Sequence, residues 1–319
     1  MERGAATRDF YAKAVAGAEA IEIKATIPDH QIRSALARFR LTRNNDQERL
    51  IYFFDTPKLD LLASGIITRA RRVIGDEHDC TVKLRPVDPA KVGKQWRKYR
   101  DFKIEADASE KGLVKSASFS MPVAGGVIKR VAAGKKAIAD IFTDEQEAFL
   151  ATMAKRKIDF STLAVLGPLT AQRWRFEDPA CPWPITAELW KRGDGDLLLE
   201  LSIKTPVVQA AVAVGGFMAL LAEMGAERDN EQQAKTHWAL DYYAAKLARD
   251  SSRRGAVGKK AASKAAAKAA GKKAGSKNPR LTARKPAGKV TAKAPRKAVR
   301  NRAAAKAPRK APKRTSRRR

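Results

Sequence analysis

The run Thr68 to Pro86, "TRARRVIGDEHDCTVKLRP", decides how the chain folds. Two alternating stretches flank Gly75-Asp76, and each sets a cation on every second residue: Arg69 and Arg71 in the first, Lys83 and Arg85 in the second. Residues two apart in a strand share a face. The run therefore reads as a hairpin with four cations on one face and Ala70, Val82 and Leu84 on the other.

The same alternation extends in both directions. Upstream, residues 18–27 ("AEAIEIKATI") alternate and run into Pro28-Asp29, where Asp29 is placed to cap a helix reaching about Leu41. "RLIYFFDTP" reads as a strand stopped by Pro57, and "KLDLLASG" as one or two helical turns closed by Gly65. Downstream, after a polar loop near 87–97, "YRDFKIEAD" puts Asp101, Lys103, Glu105 and Asp107 on one face and Phe102 and Ile104 on the other. Residues 125–157 read as helical, with Thr143 or Asp144 as a cap. Three more strands follow: "AQRWRFED", with Arg173 and Arg175 two apart, "PITAELWKR", with Glu188, and "DLLLELSIKT", with Glu200, Ser202 and Lys204 on one face. Helical stretches at about 207–225 and 230–248 close the globular part.

A sheet with one solvated face is the plain account of such strands. Solvent faces, however, normally mix Thr, Ser, Gln, Lys and Glu, whereas here strand after strand contributes charge. The alternative is a sheet closed into a barrel with a wet, charged interior. Such an interior is costly to desolvate. It becomes reasonable when a polyanion occupies it, because Arg forks match phosphate oxygens and Lys supplies point charge. Acidic residues among the cations would then hold a divalent metal.

Composition divides the chain. Residues 251–319 hold 26 of its 65 Lys and Arg and none of its 34 Asp and Glu. Residues 18–250 read as one folded domain behind an N-terminal extension, 1–17. The basic segment is expected to be disordered, since Ala, Lys, Arg, Pro and Gly offer almost no large apolar side chain to bury. Its composition is similar to that of linker-histone tails. With no aromatic residue and one Leu, it suits neither bilayer insertion nor base stacking, and points to salt-sensitive backbone binding of nucleic acid or polyphosphate. Cys80 and Cys181 are too few for a disulfide framework, and the N-terminus carries no signal-peptide run, so a cytoplasmic protein is expected, at the nucleoid or at polyphosphate granules if the tail directs it there.

"IEIKATI", "YFFDTPKLDLLASGIITRARR", "TVKLRP" and the late "QQAKTHWALDYYA" resemble the CYTH domain, the triphosphate tunnel metalloenzyme superfamily. The resemblance implies an α+β fold built on an eight-stranded antiparallel β-barrel with flanking helices. It implies phosphate contacts from Lys24, Arg69, Arg71, Lys83, Arg85, Arg173 and Arg175. It also implies Mg²⁺ or Mn²⁺ on Glu22, Glu188 and Glu200, with Glu105 a further candidate and with Glu22 and Glu200 acting in catalysis. The chain departs from the family pattern at Ala20 and Ser202, where acids are usual. The activities implied are hydrolysis of inorganic triphosphate or polyphosphate, or of another triphosphate-bearing ligand. A non-catalytic polyanion-binding module and an adenylate cyclase are the alternatives.

Overall fold

The computed structural model describes residues 15–109, 112–155, 157–226 and 235–253. The expected tail from 254 onward, and most of the expected N-terminal extension, lie outside the described residues.

Nine strands close into a barrel: β1 (Ala20–Ile27), β2 (Gln47–Asp55), β3 (Ile66–Val73), β4 (Asp79–Leu84), β5 (Phe102–Ser109), β6 (Gly112–Pro122), β7 (Ala164–Asp178), β8 (Cys181–Lys191) and β9 (Leu197–Pro206). Around the wall they run β1-β5-β6-β4-β3-β2-β7-β8-β9. The expected count of eight is corrected by β6. Its inward positions include Ser116, Ser118 and Ser120, small hydroxyls that fit against neighbours in a barrel but carry no strand signal of their own. The all-antiparallel expectation is corrected at one seam. There β1 pairs with β9 antiparallel but with β5 parallel, Glu22 opposite Asp107.

Short helices bind the outer face of the wall. The quoted hairpin forms as read, Arg69 opposite Thr81 and Arg71 opposite Asp79. Before it, Asp55 accepts backbone N–H bonds from Leu61 and Leu62 at 2.9 Å, fixing the Asp60–Ala63 helical turn. Gly65 then adopts a φ of +72°, and a Cβ there would stand 2.6 Å from the Arg85 carbonyl oxygen, so the approach of β3 to β4 requires glycine. After Pro28 the chain makes a 3₁₀ turn, Asp29–Gln31, and the α-helix runs only Ile32–Arg38, shorter than the sequence suggests. The 125–157 stretch divides into helices Gly125–Ala132 and Asp144–Ala154, the second opened by a Thr143–Gln146 capping box. Gln146 is fully buried and also donates to the carbonyls of Cys80 and Phe119, tying that helix to the barrel.

The apolar clusters lie mainly outside the barrel. One joins β1, β8 and β9 to helix Ala210–Glu223 through Ile23, Leu201, Ile203, Phe217 and Leu221; another joins β3–β6 to the 125–154 region through Val82, Ile104, Phe119, Ile128 and Phe149. Cys80 and Cys181 are buried free thiols, one in each cluster. A third cluster differs. Ile51 and Phe53 share a face with Arg49, Trp190 with Glu188, and Leu198 with Glu200, so its wall residues point inward. The helix over 235–253 packs Trp238, Leu240 and Tyr243 onto them and covers that end of the barrel. No helix among the described residues is long and apolar enough to cross a membrane.

Candidate functional site

The barrel encloses a cavity of about 740 Å³, and its wall is built from the alternation read in the sequence. Glu22 and Lys24 reach it from β1, Arg69 and Arg71 from β3, Lys83 from β4, and Arg85 from just beyond β4. Arg173 and Arg175 reach it from β7, Glu188 from β8, and Glu200 with Ser202 from β9. Glu105 lines it from β5. Thus every candidate phosphate or metal residue borders one cavity. Lys103, Arg175 and Lys204 are exposed and lie at its mouth. Ala20 is on β1, opposite Glu105 and Pro206.

The deep residues form two acid-centred groups. In the first, Asp107 is wholly buried and binds Lys24 at 2.9 Å, Lys83 at 3.2 Å and Arg85 at 3.5 Å, while Lys24 also holds Glu22 at 3.0 Å. Burial alone would raise the Asp107 carboxyl, but Lys24, Lys83 and Arg85 outweigh it and hold the group well below the usual carboxylate range. Burial likewise works against the Lys24 ammonium, yet Glu22 and Asp107 drive it well above its ordinary value. Lys83 goes the other way. Burial lowers it, and Asp107, shared with two other cations, does not compensate.

In the second group, Glu188 and Glu200 face one another in the β8–β9 register. Glu188 takes Arg49 at 3.4 Å and Arg173 at 3.8 Å on one oxygen, and Lys235 on the other. Lys235 also meets Glu200 at 2.6 Å. Burial would raise Glu188, but Lys235, Arg49 and Arg71 leave it well below the usual range. Arg69 stands on β3, which in the wall lies between β4, with Lys83 of the first group, and β2, with Arg49 of the second. The Arg69 Nε is buried with no hydrogen-bond partner, and burial, followed by Arg71 beside it, pushes the guanidinium down to about 9.

Five of these participants escape the sequence reading of the site: Arg49, Lys103, Asp107, Lys204 and Lys235. Lys103, Asp107 and Lys204 show the alternation signal, on "YRDFKIEAD" and "DLLLELSIKT". Arg49 shows none, because β2 is apolar on both faces beyond it. Lys235 lies in the late "QQAKTHWALDYYA" stretch, on a helix whose place against the barrel no local pattern gives.

The acidic set does not fit a protein-held metal. Glu22, Glu188 and Glu200 each already carry an ammonium, and among the described residues no three His, Cys, Asp or Glu side chains come together to hold a metal ion. Mg²⁺ needs only one or two carboxylates when waters and phosphate oxygens complete its shell, but here each of these carboxylates would first have to release its ammonium.

No protein-family model matches the chain, and no curated protein matches it. Among solved structures, it is similar to a candidate adenylate cyclase from Bacillus halodurans, at 13% identity and a TM-score of 0.49 over 69% of this chain and 96% of that one. It is also similar to a candidate adenylyl cyclase from Hippeastrum whose dominant activity is triphosphatase, at 15% identity and 0.48 over 68% and 93%. A third similar structure, from Pyrococcus horikoshii, gives 12% and 0.38 over 70% and 99%. At such identities and TM-scores the likeness carries no residue role across.

Proposed function

We propose that the barrel is a receptor for a linear phosphate chain, inorganic triphosphate or a ligand bearing one. The observation that supports this most directly is the charge of the inward face, where eleven Lys and Arg line the cavity against four Glu. Behind that lining, Asp107 and Asp79, the latter paired with Arg71 at 3.0 Å, add two more acids. Arg69 sharpens the point, since a buried, unpartnered guanidinium nitrogen is costly until an acceptor arrives. Phosphate oxygens suit a guanidinium fork, and successive phosphates allow one ligand to reach several cations at once. A cavity of about 740 Å³ is of small-molecule size.

Cations on the wall would hold the phosphates in line and offset charge that develops on a transferred group, the two contributions hydrolysis draws on. The carboxylates give less support to catalysis, because Glu22 and Glu200 are each engaged by a lysine. Binding is therefore the primary reading. The basic segment 251–319 is proposed as a separate, salt-sensitive tether to long polyanions such as nucleic acid or polyphosphate.

Calorimetry on the full chain in EDTA tests the receptor. Affinity should rise from phosphate to pyrophosphate to triphosphate, and a phosphate-release assay on triphosphate and ATP reports whether bound ligand turns over. Equal, weak binding of all three chain lengths would remove the proposal.

A further inference from the structure

We infer that Lys235 is a built-in counter-cation, placed between Glu188 and Glu200 where a divalent metal would otherwise be required, so that this lumen takes its phosphate ligand without one. The inference deepens the receptor reading and rests on it.

Glu188 and Glu200 are direct cross-strand neighbours, and like charges so placed repel. Either one of them stays protonated or a positive charge stands between them. The Lys235 ammonium does so, 2.6 Å from Glu200 Oε1 and in contact with Glu188 Oε2. It is also held in place. Nζ lies 5.0 Å from the centre of the Trp190 ring, while three residues further along the helix Trp238 is covered by the Arg192 guanidinium at 4.5 Å. Tyr243, on the same helix, donates to the Pro168 carbonyl at 2.5 Å. An ammonium with its stem fixed in this way differs from a mobile surface lysine.

The neighbouring positions complete the argument. Beyond Glu200 on the same face, β9 offers a hydroxyl at Ser202 and then a cation at Lys204, which turns to Glu105. The remaining Glu188 oxygen is shared by Arg49 and Arg173. A metal entering here would have to displace an ammonium from two carboxylates and add charge to a wall already in cationic excess. Lysine, a compact point charge, meets the same electrostatic need and requires no coordination shell.

The test uses the full chain in three arms. Electron paramagnetic resonance of Mn²⁺ titrated into the ligand-free protein should show no bound ion for the wild type or for Lys235→Arg. Lys235→Met, which leaves the acid pair uncompensated, should bind Mn²⁺ roughly tenfold more tightly or better. In the third arm, calorimetry should find wild-type triphosphate affinity in EDTA within about threefold of that with saturating Mn²⁺, a difference under 1 kcal/mol. Mn²⁺ binding by the wild type as tight as by Lys235→Met would overturn the inference. So would triphosphate binding lost in EDTA and restored by Mn²⁺, an outcome that leaves the receptor reading intact and decides the matter even if Lys235→Met fails to fold. Absence of triphosphate binding with and without Mn²⁺ sinks the receptor reading itself.

Discussion

The two acid-centred groups of the lumen solve the same problem by different means. Around Asp107 the cations all belong to the wall or its edge, Lys24 on β1 and Lys83 and Arg85 at β4, and the carboxylate is wholly buried. Around Glu188 and Glu200 the decisive cation arrives from outside the wall, on the helix over 235–253, and the acids keep some exposure, 18% and 9%. The first group is a knot in the barrel itself, in which removing the centre leaves several charges without a partner. The second is an adjustable junction, where barrel and helix meet through charge.

The largest effect should follow from cutting the knot. Asp107→Asn leaves Lys83 and Arg85 without their acid and Lys24 with Glu22 alone, and breaking such a group typically costs up to ~3–5 kcal/mol. Urea unfolding should show that loss, with partial recovery when triphosphate supplies the missing negative charge. An unchanged midpoint would make the two groups equivalent and end the distinction. The same group gives a pH signature. Because the folded Asp107 titrates below its ordinary 3.8, its contribution is complete above that value and is lost as pH falls from there toward the folded value. Glu188, depressed from 4.5, acts with the same sign. Wild-type stability should therefore drop on acidification below about pH 4, and Asp107→Asn should flatten the drop.

Next in size is Arg69→Ala, on β3. Losing a charge-assisted phosphate contact is worth ~1.5–3 kcal/mol, a weakening of triphosphate binding of about tenfold to a hundredfold. Stability should change less than affinity, since the substitution also removes a buried, unpartnered donor. Calorimetry paired with urea unfolding separates the two. A variant that loses stability while keeping affinity would move Arg69 from the ligand to the framework.

The smallest effect on the lumen should come from truncation after Arg253. The three apolar clusters and every lumen contact named above lie within the described residues, so triphosphate affinity should hold within about twofold, under ~0.5 kcal/mol. Binding of the intact chain to duplex DNA or long polyphosphate should weaken steeply with salt, with a slope near ~0.9 per phosphate neutralised on DNA, and truncation should abolish most of it. Filter binding across a salt series checks both. A truncated chain that still holds long polyanions would place that function in the barrel.

Much of this arrangement was legible because strand geometry is local. Arg69, Arg71, Lys83 and Arg85 had to share a face whatever the remainder of the chain did, and so did Glu200 with Ser202. Where the local signal was weak, reading failed. Strand β6 presents Ser116, Ser118 and Ser120 inward and was not recognised, and Arg49 heads a strand buried on both sides, Leu50, Tyr52 and Phe54 outward and Ile51 and Phe53 inward. The absence of acids at Ala20 and Ser202 was visible in the sequence. The replacement of their charge partner was not.

The sequence by itself thus determined which side chains lie on each face, through the two-residue period of the extended chain. Only the tertiary structure decided how the faces meet: a ninth strand in the wall, a parallel β1–β5 seam that sets Asp107 opposite Glu22, and the helix over 235–253 that delivers Lys235 to acids 35 and 47 positions away in the chain. Those are consequences of closing a barrel and packing a helix on its end. They depend on long-range steric and electrostatic fit, and no local period encodes them.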